Sequence, residues 1–254
     1  MPGRRFSRKR MRIEITALST LPEVRPGDDL GCLIRSAANR EQQRLDGSVV
    51  LAVAQKIVSK AEGAMVDLRE VQPSALACSW AAEWGKDPRL IELILTQSRR
   101  IVKMDRGVLI AETRLGFICA NAGVDQSNTG HDDLATVLPT DPDASAQRLR
   151  EALGCGAVLV TDTFGRPWRE GLVDVAIGLA GLAPLEDFRG ATDRRGRPLS
   201  ATIIAVADQL AAAAGLAMRK SDGSPVVLIR GFAWQGATGS GRALIRPPET
   251  DLFR

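Results

Sequence analysis

Two carboxylates in this chain stand in settings that invite chemistry. Asp125 lies in the run NAGVDQSN, where Asn121, Asp125, Ser127 and Asn128 fall within eight residues. Asp162 follows the apolar run Val158-Leu159-Val160, sits between Thr161 and Thr163, and is followed by Arg166 and Arg169. A carboxylate delivered by a buried strand must be paired, hydrogen-bonded or bound to a metal to offset its desolvation. An Asx-turn closed by its own loop is the plain alternative. Hard oxygen donors of this kind suit Mg²⁺ or Mn²⁺ rather than zinc.

Two further loops, after Leu18 and Ala54, add donors. Ser19-Thr20-Leu21-Pro22 offers hydroxyls and backbone amides, and Gln55 to Gly63 carries Lys60 shortly after an apolar strand. Lys60 reads either as a phosphate-facing cation or as a snorkelling surface lysine. Together the four segments fit a divalent cation bridging nucleotide phosphates, where catalysis is mainly positioning and charge neutralisation. Arg166 and Arg169 could hold an anionic co-substrate by bidentate contacts.

Several classes are excluded. No Walker motif exists, and Gly236 to Arg242 lacks its lysine, so Gly239-Ser240-Gly241 reads as a flexible loop. Aspartyl phosphatases need a second Asp two residues after the first, and position 164 is Phe. The one histidine, His131, removes most Ser-His, Cys-His and zinc-hydrolase schemes. The four cysteines form no C-x-x-C, as expected of reduced thiols in a cytoplasmic protein. Residues 1–12 hold six basic side chains and no acidic one; removing those six from 34 leaves 28 basic against 30 acidic residues, a net charge of −2. The basicity therefore belongs to a disordered tail, and neither a nucleic-acid nor a membrane partner is expected. Ala201 to Met218 carries Asp208 and Gln209 inside it, which makes it a packed helix rather than a span.

The elements that must position these residues are partly visible. Arg12 to Leu18 alternates as a half-buried strand, and Asp28-Asp29 opens a helix with Leu30, Leu33, Ile34 and Ala37 on one face. Ser48 to Ala54 is a buried strand. Pro73 to Arg100 reads as two helices broken near Gly85 to Pro88. Val108 to Glu112 and Phe117 to Ala120 form a meander, Asp143 to Leu153 a capped helix and Val226 to Ile229 a strand. After Val160 the chain is expected to break at Thr161 to Pro167. The fold class is α+β, with mixed sheets and packed helices, and neither Rossmann nor P-loop.

SKAEG at 59–63, NAGVDQSN at 121–128 and TDTFGRPWREG at 161–171 resemble the glutamate ligase family that extends coenzyme F-420, the deazaflavin redox carrier. The resemblance runs from about Ile13 to the RPPETDLFR tail. It implies that GTP phosphorylates the lactyl carboxylate of F-420-0 and that the amine of L-glutamate attacks the acyl phosphate. It also implies Mn²⁺ or Mg²⁺, assistance by K⁺, and intertwined homodimers of two-part αβ subunits, here residues 13–254. Residue by residue, Asp125 and Asp162 match ligands of one metal and Thr163 a ligand of a second. Ser19, Thr20, Leu21, Pro22, Gln55 and Asn128 match nucleotide contacts, and Lys60 a phosphate contact. Asp125, Asp162 and Lys60 form the implied catalytic set. Gln55-Lys56 replaces Ser-Thr-like residues of archaeal members. Asp222 and Gly223 stand where those members carry a glycine-rich acidic loop that supplies a metal ligand and nucleotide contacts. A related ligase acting on a different carboxylate acceptor shares the same residues, and an RNA-binding protein using the basic arm is the reading from another class.

Overall fold

The computed structural model describes residues 11–127, 133–219 and 223–252. Most of the basic tail, Asn128, His131 and Asp222 lie outside the described residues. The chain runs β1 (Glu14–Leu18), α1 (Leu30–Arg40), β2 (Val50–Ala54), α2 (Gln55–Ala61), β3 (Met65–Asp67), α3 (Ala75–Trp84), α4 (Pro88–Gln97), β4 (Ser98–Asp105) and β5 (Val108–Thr113). It continues through β6 (Ile118–Ala120), β7 (Leu134–Thr136), α5 (Pro142–Leu153), β8 (Ala157–Arg166), β9 (Arg169–Ala180), the short pair β10 (Glu186–Asp187) and β11 (Ile203–Ile204), α6 (Val206–Met218) and β12 (Val226–Arg230).

The main sheet has the order β1-β12-β2-β8-β9. Only β2 and β8 run parallel; the other neighbours are antiparallel. Its central strands are apolar on both faces because both faces are covered. Leu51, Val53, Val158 and Val160 pack with Ile34 and Ala37 of α1 and Leu149 of α5. Val50, Ala52, Leu159 and Val227 face Ala207, Leu210, Ala211 and Ala214 of α6. Between α2 and α5 a third cluster joins α3 and α4 to the antiparallel sheet β4-β5-β6 through Trp80, Ile91, Ile94, Leu109 and Ala111. The result is the mixed α+β architecture anticipated above, with no Rossmann or P-loop layout.

Local chemistry accounts for the helix ends. The Asp29 carboxylate accepts the Cys32 N–H at 2.9 Å and caps α1. Gly85, left-handed at φ 60°, closes α3, and Asp87 caps α4 two residues later.

Five expectations need correction. Thr161 to Arg166 does not break from the strand: β8 continues through it because β9 supplies a ladder as far as Arg166↔Arg169, and the turn falls at Pro167-Trp168. Gly239 to Gly241 is not a loose loop. The Asp143 carboxylate accepts the Ser240 hydroxyl at 2.5 Å and the Gly241 N–H at 2.9 Å. The segment from Ser98 leaves the helix for β4, and α6 begins only at Val206, after β11. The segment after Ala54 is no loop either, since Gln55 opens α2 directly.

Candidate active site

Register sets Leu18, Val226, Val53 and Val160 in one row across four adjacent strands. At about 4.8 Å per strand the row is roughly 14 Å wide. Beyond it, at the same end, lie Ser19–Pro22 after β1, Gln55 after β2, Asp162 in β8 and Gly223 shortly before β12. The Ala54 N–H donates to the Pro225 carbonyl at 2.8 Å and ties two of these segments together. The fold thus gathers one end of the parallel pair, where open mixed sheets commonly place ligands.

The Ser19-Thr20 turn is held as an anion cradle. Both backbone N–H groups donate to Oε1 of Glu41, at 2.8 and 2.7 Å, and the Ser19 hydroxyl adds a 3.3 Å contact. Burial works to raise the Glu41 carboxyl, but the Thr20 and Ser19 donors win and hold it below its ordinary value. Arg40 braces the same turn by donating to the Thr20 carbonyl at 2.6 Å.

From α2 come Gln55, Lys56 and Lys60. Gln55 is buried and accepts the Ser59 hydroxyl at 2.8 Å. The Lys60 side chain is only 8% exposed, and its ammonium meets Oε1 of the exposed Glu23 at 2.5 Å. A snorkelling surface lysine would show the opposite burial.

Asp125 is aimed by a strained turn. Asn121, Ala122 and Gly123 have φ of 54°, 52° and 73°, three consecutive left-handed residues of which two are not glycine. The turn ends where Asp125 and Thr136 exchange backbone hydrogen bonds of 3.0 and 2.8 Å. Oδ1 of Asp125 accepts the Ser127 N–H at 2.7 Å, an Asx turn. Oδ2 meets the Lys56 ammonium at 2.6 Å. Burial pushes the Asp125 carboxyl up, but Lys56 and Ser127 outweigh it and leave it lowered.

Asp162 alternates with Val160 and Phe164, so its side chain shares their face of the sheet. A β9 bulge lies beside it, between the Val160 and Thr161 pairings. Its carboxylate lies close enough to Cys119 of β6 to help burial push that thiol up to about 12. Because β6 leads directly into the turn carrying Asp125, the two carboxylates belong to neighbouring segments. Thr163 falls on the opposite face, where its hydroxyl donates to Asp174 at 2.5 Å. Arg166 and Arg169 face each other at the exposed hairpin tip, and Arg166 donates to the Glu170 carbonyl at 2.6 Å. Beside Phe164 and Phe117 opens a mainly apolar cavity of about 240 Å³, bordered by Val175, Asp208 and Ile245.

Sequence reasoning missed Glu23, whose partner is 37 residues away, and Glu41, whose partners are 21 and 22 residues away. It also missed Asp174, an acidic residue inside the apolar run from Val173, which was the available signal. Among the described residues no three Cys, Asp, Glu or His side chains converge as a ready metal cluster. The donors that do gather at Asp125 are all oxygen, and they already surround a cation, the Lys56 ammonium. That chemistry fits a hard divalent ion completed by substrate and water oxygens.

Comparison with known proteins identifies the family. Residues 19–231 match the model of the F420-0:gamma-glutamyl ligase family. The chain is 47% identical over 253 residues to the coenzyme F420:L-glutamate ligase of Methanothermobacter thermautotrophicus, covering 96% of this chain and all of that protein. The enzymes of the same name from Methanopyrus kandleri and Methanocaldococcus jannaschii are 46% and 37% identical, each across at least 96% of this chain and 98% of the relative. With a family model spanning most of the chain and relatives matched nearly end to end, the chain belongs to the F420-0:gamma-glutamyl ligase family of enzymes.

Proposed function

We propose that the protein joins L-glutamate to coenzyme F-420-0 through an acyl phosphate made from GTP. The observation that carries this reading is the single row that delivers Ser19–Pro22, Gln55 and Asp162 to one end of the sheet, next to the Lys60 helix. In the first step the terminal phosphoryl group of GTP moves to an oxygen of the acceptor carboxylate and GDP leaves. In the second, the neutral glutamate amine attacks the acyl carbon, the acyl C–O bond to phosphate breaks, and the departing inorganic phosphate takes the proton lost from nitrogen as the amide forms. Both steps need anionic groups brought together and screened, which is the task of cations and amides rather than of a general base.

The Ser19–Pro22 turn and Gln55 would contact the nucleotide, and Lys60 its phosphates. Asp125 and Asp162 would hold Mn²⁺ or Mg²⁺, which supplies charge neutralisation at the phosphoryl group. Thr163 and Asp174 form a separate pair of oxygen donors on the other face, the seat a second metal would need. K⁺ would add monovalent charge compensation. The apolar cavity beside Phe164 suits the aromatic body of the acceptor, and Arg166 and Arg169 its anionic parts. Asn128 and Asp222 keep their proposed nucleotide roles from the resemblance alone.

A homodimer is part of the same reading. Ile101, Val102, Val108 and Ile118 are exposed on the β4-β5-β6 sheet, and Trp168 and Leu172 at the β8-β9 tip, surfaces that a second copy would cover. Light scattering behind a sizing column tests this, and a monomeric mass at micromolar concentration would count against it. Among the described residues no helix is long and apolar enough to cross a membrane. Mass spectrometry of F-420-0 with L-glutamate, GTP and Mn²⁺ tests the reaction. Gain of glutamyl units supports it, and gain only with another acceptor would favour the related ligase.

A further inference from the structure

Lys56 sits where a bound cation would. Its ammonium lies 2.6 Å from Oδ2 of Asp125, 2.5 Å from the Ser127 hydroxyl oxygen and 3.1 Å from the Ser127 carbonyl. The two segments are 71 residues apart in sequence, so this cradle is a tertiary construction and not a local turn. Its remaining carboxylate oxygen is taken by the Ser127 N–H at 2.7 Å. The lysine side chain is four-fifths buried, at 21% exposure, while Asp125 keeps 38%. The cradle therefore remains open to solvent from the Asp125 side. A lysine stem is long and flexible, so its ammonium is able to leave without disturbing α2.

We propose that Lys56 is a resident counter-ion of the Asp125–Ser127 cradle, which a divalent cation must displace, so that this lysine sets the affinity of the site for metal. The proposal rests on the reading of Asp125 as a metal ligand. A divalent cation at the same carboxylate oxygen would stand close against the Lys56 ammonium, and their repulsion in a partly buried site far exceeds thermal energy. Metal entry thus costs the breaking of the Lys56 contacts. The displaced ammonium, still tethered to the first turn of α2, is then free to meet a phosphate oxygen brought by the nucleotide.

The test is Mn²⁺ binding to the purified full-length protein, followed by electron paramagnetic resonance at constant ionic strength, for the wild type and Lys56→Gln, Lys56→Arg and Asp125→Asn. Thermal melting in chelator checks that each variant is folded. Lys56→Gln should bind Mn²⁺ about tenfold more tightly or better. Its melting temperature should fall in chelator, where Asp125 loses its partner, and rise more than that of the wild type on adding Mn²⁺. Lys56→Arg should stay near the wild type. Equal or weaker Mn²⁺ binding in Lys56→Gln, with binding lost in Asp125→Asn, would overturn the proposal and leave Asp125 as a ligand. Undiminished binding in Asp125→Asn would remove the metal reading of Asp125 itself.

Discussion

Ala54 and Thr161 stand opposite each other across the one parallel pair of the main sheet, which sets the last residue before α2 beside the last residue before Asp162. Slipping this register by one residue would move Val158 and Val160 from the face packed by α1 and α5 to the one packed by α6, so the side-chain volumes on the two covered faces hold the register. The same pattern fixes Leu18 against Val226, and with it the Ser19-Thr20 turn.

Glu41→Gln should change the acid stability of the protein. The Glu41 carboxyl is held below the ordinary 4.5, so its stabilising effect is complete above that pH. It fades as pH falls through the lowered value, where wild type and variant both carry a neutral side chain. Urea unfolding midpoints should therefore differ most near neutral pH and converge as pH falls through the lowered value. Parallel curves at all pH values would show that the charge is not what holds the turn.

Gly123→Ala should weaken both the fold and the proposed metal site. Gly123 has φ of 73°, and an added Cβ would lie 2.6 Å from the Leu138 side chain. Strain of about 1–3 kcal/mol is expected, together with weaker Mn²⁺ binding because the turn aims Asp125. Normal Mn²⁺ affinity at reduced stability would show that the turn serves the fold alone.

How much was legible in the sequence follows from the range of each interaction. Asp29 as a cap and the break between Gly85 and Asp87 depend on contacts within a few residues, and both were readable. The end of the strand before Asp162 was misjudged because Gly165 and Pro167 signal a break, while the β9 ladder that carries β8 on to Arg166 comes from later sequence. Lys56 was visible only as a departure at Gln55-Lys56, since nothing local announces a partner at Ser127. Burial of Lys60 was equally hidden, because a lysine's local sequence does not reveal which elements enclose its stem.

Arg169→Glu should raise the apparent KM for the acceptor several-fold while leaving that for GTP unchanged, because the hairpin tip belongs to β8 and β9 while the Ser19-Thr20 turn follows β1 at the opposite edge of the sheet. Asp162 is four residues from Arg166, on the order of 13 Å along the strand, so kcat should change less than KM. Steady-state kinetics at saturating GTP decides this, and an unchanged acceptor KM would remove the tip from the substrate site.

The central claim is that one metal-assisted ligase site lies at the shared end of β2 and β8. Its most direct test is the mass of F-420-0 after incubation with L-glutamate, GTP and Mn²⁺, using wild type and Asp162→Asn side by side. The account predicts gain of one or more glutamyl units with wild type and a loss of at least a hundredfold in rate with the variant. Undiminished product formation by a folded Asp162→Asn protein would contradict it.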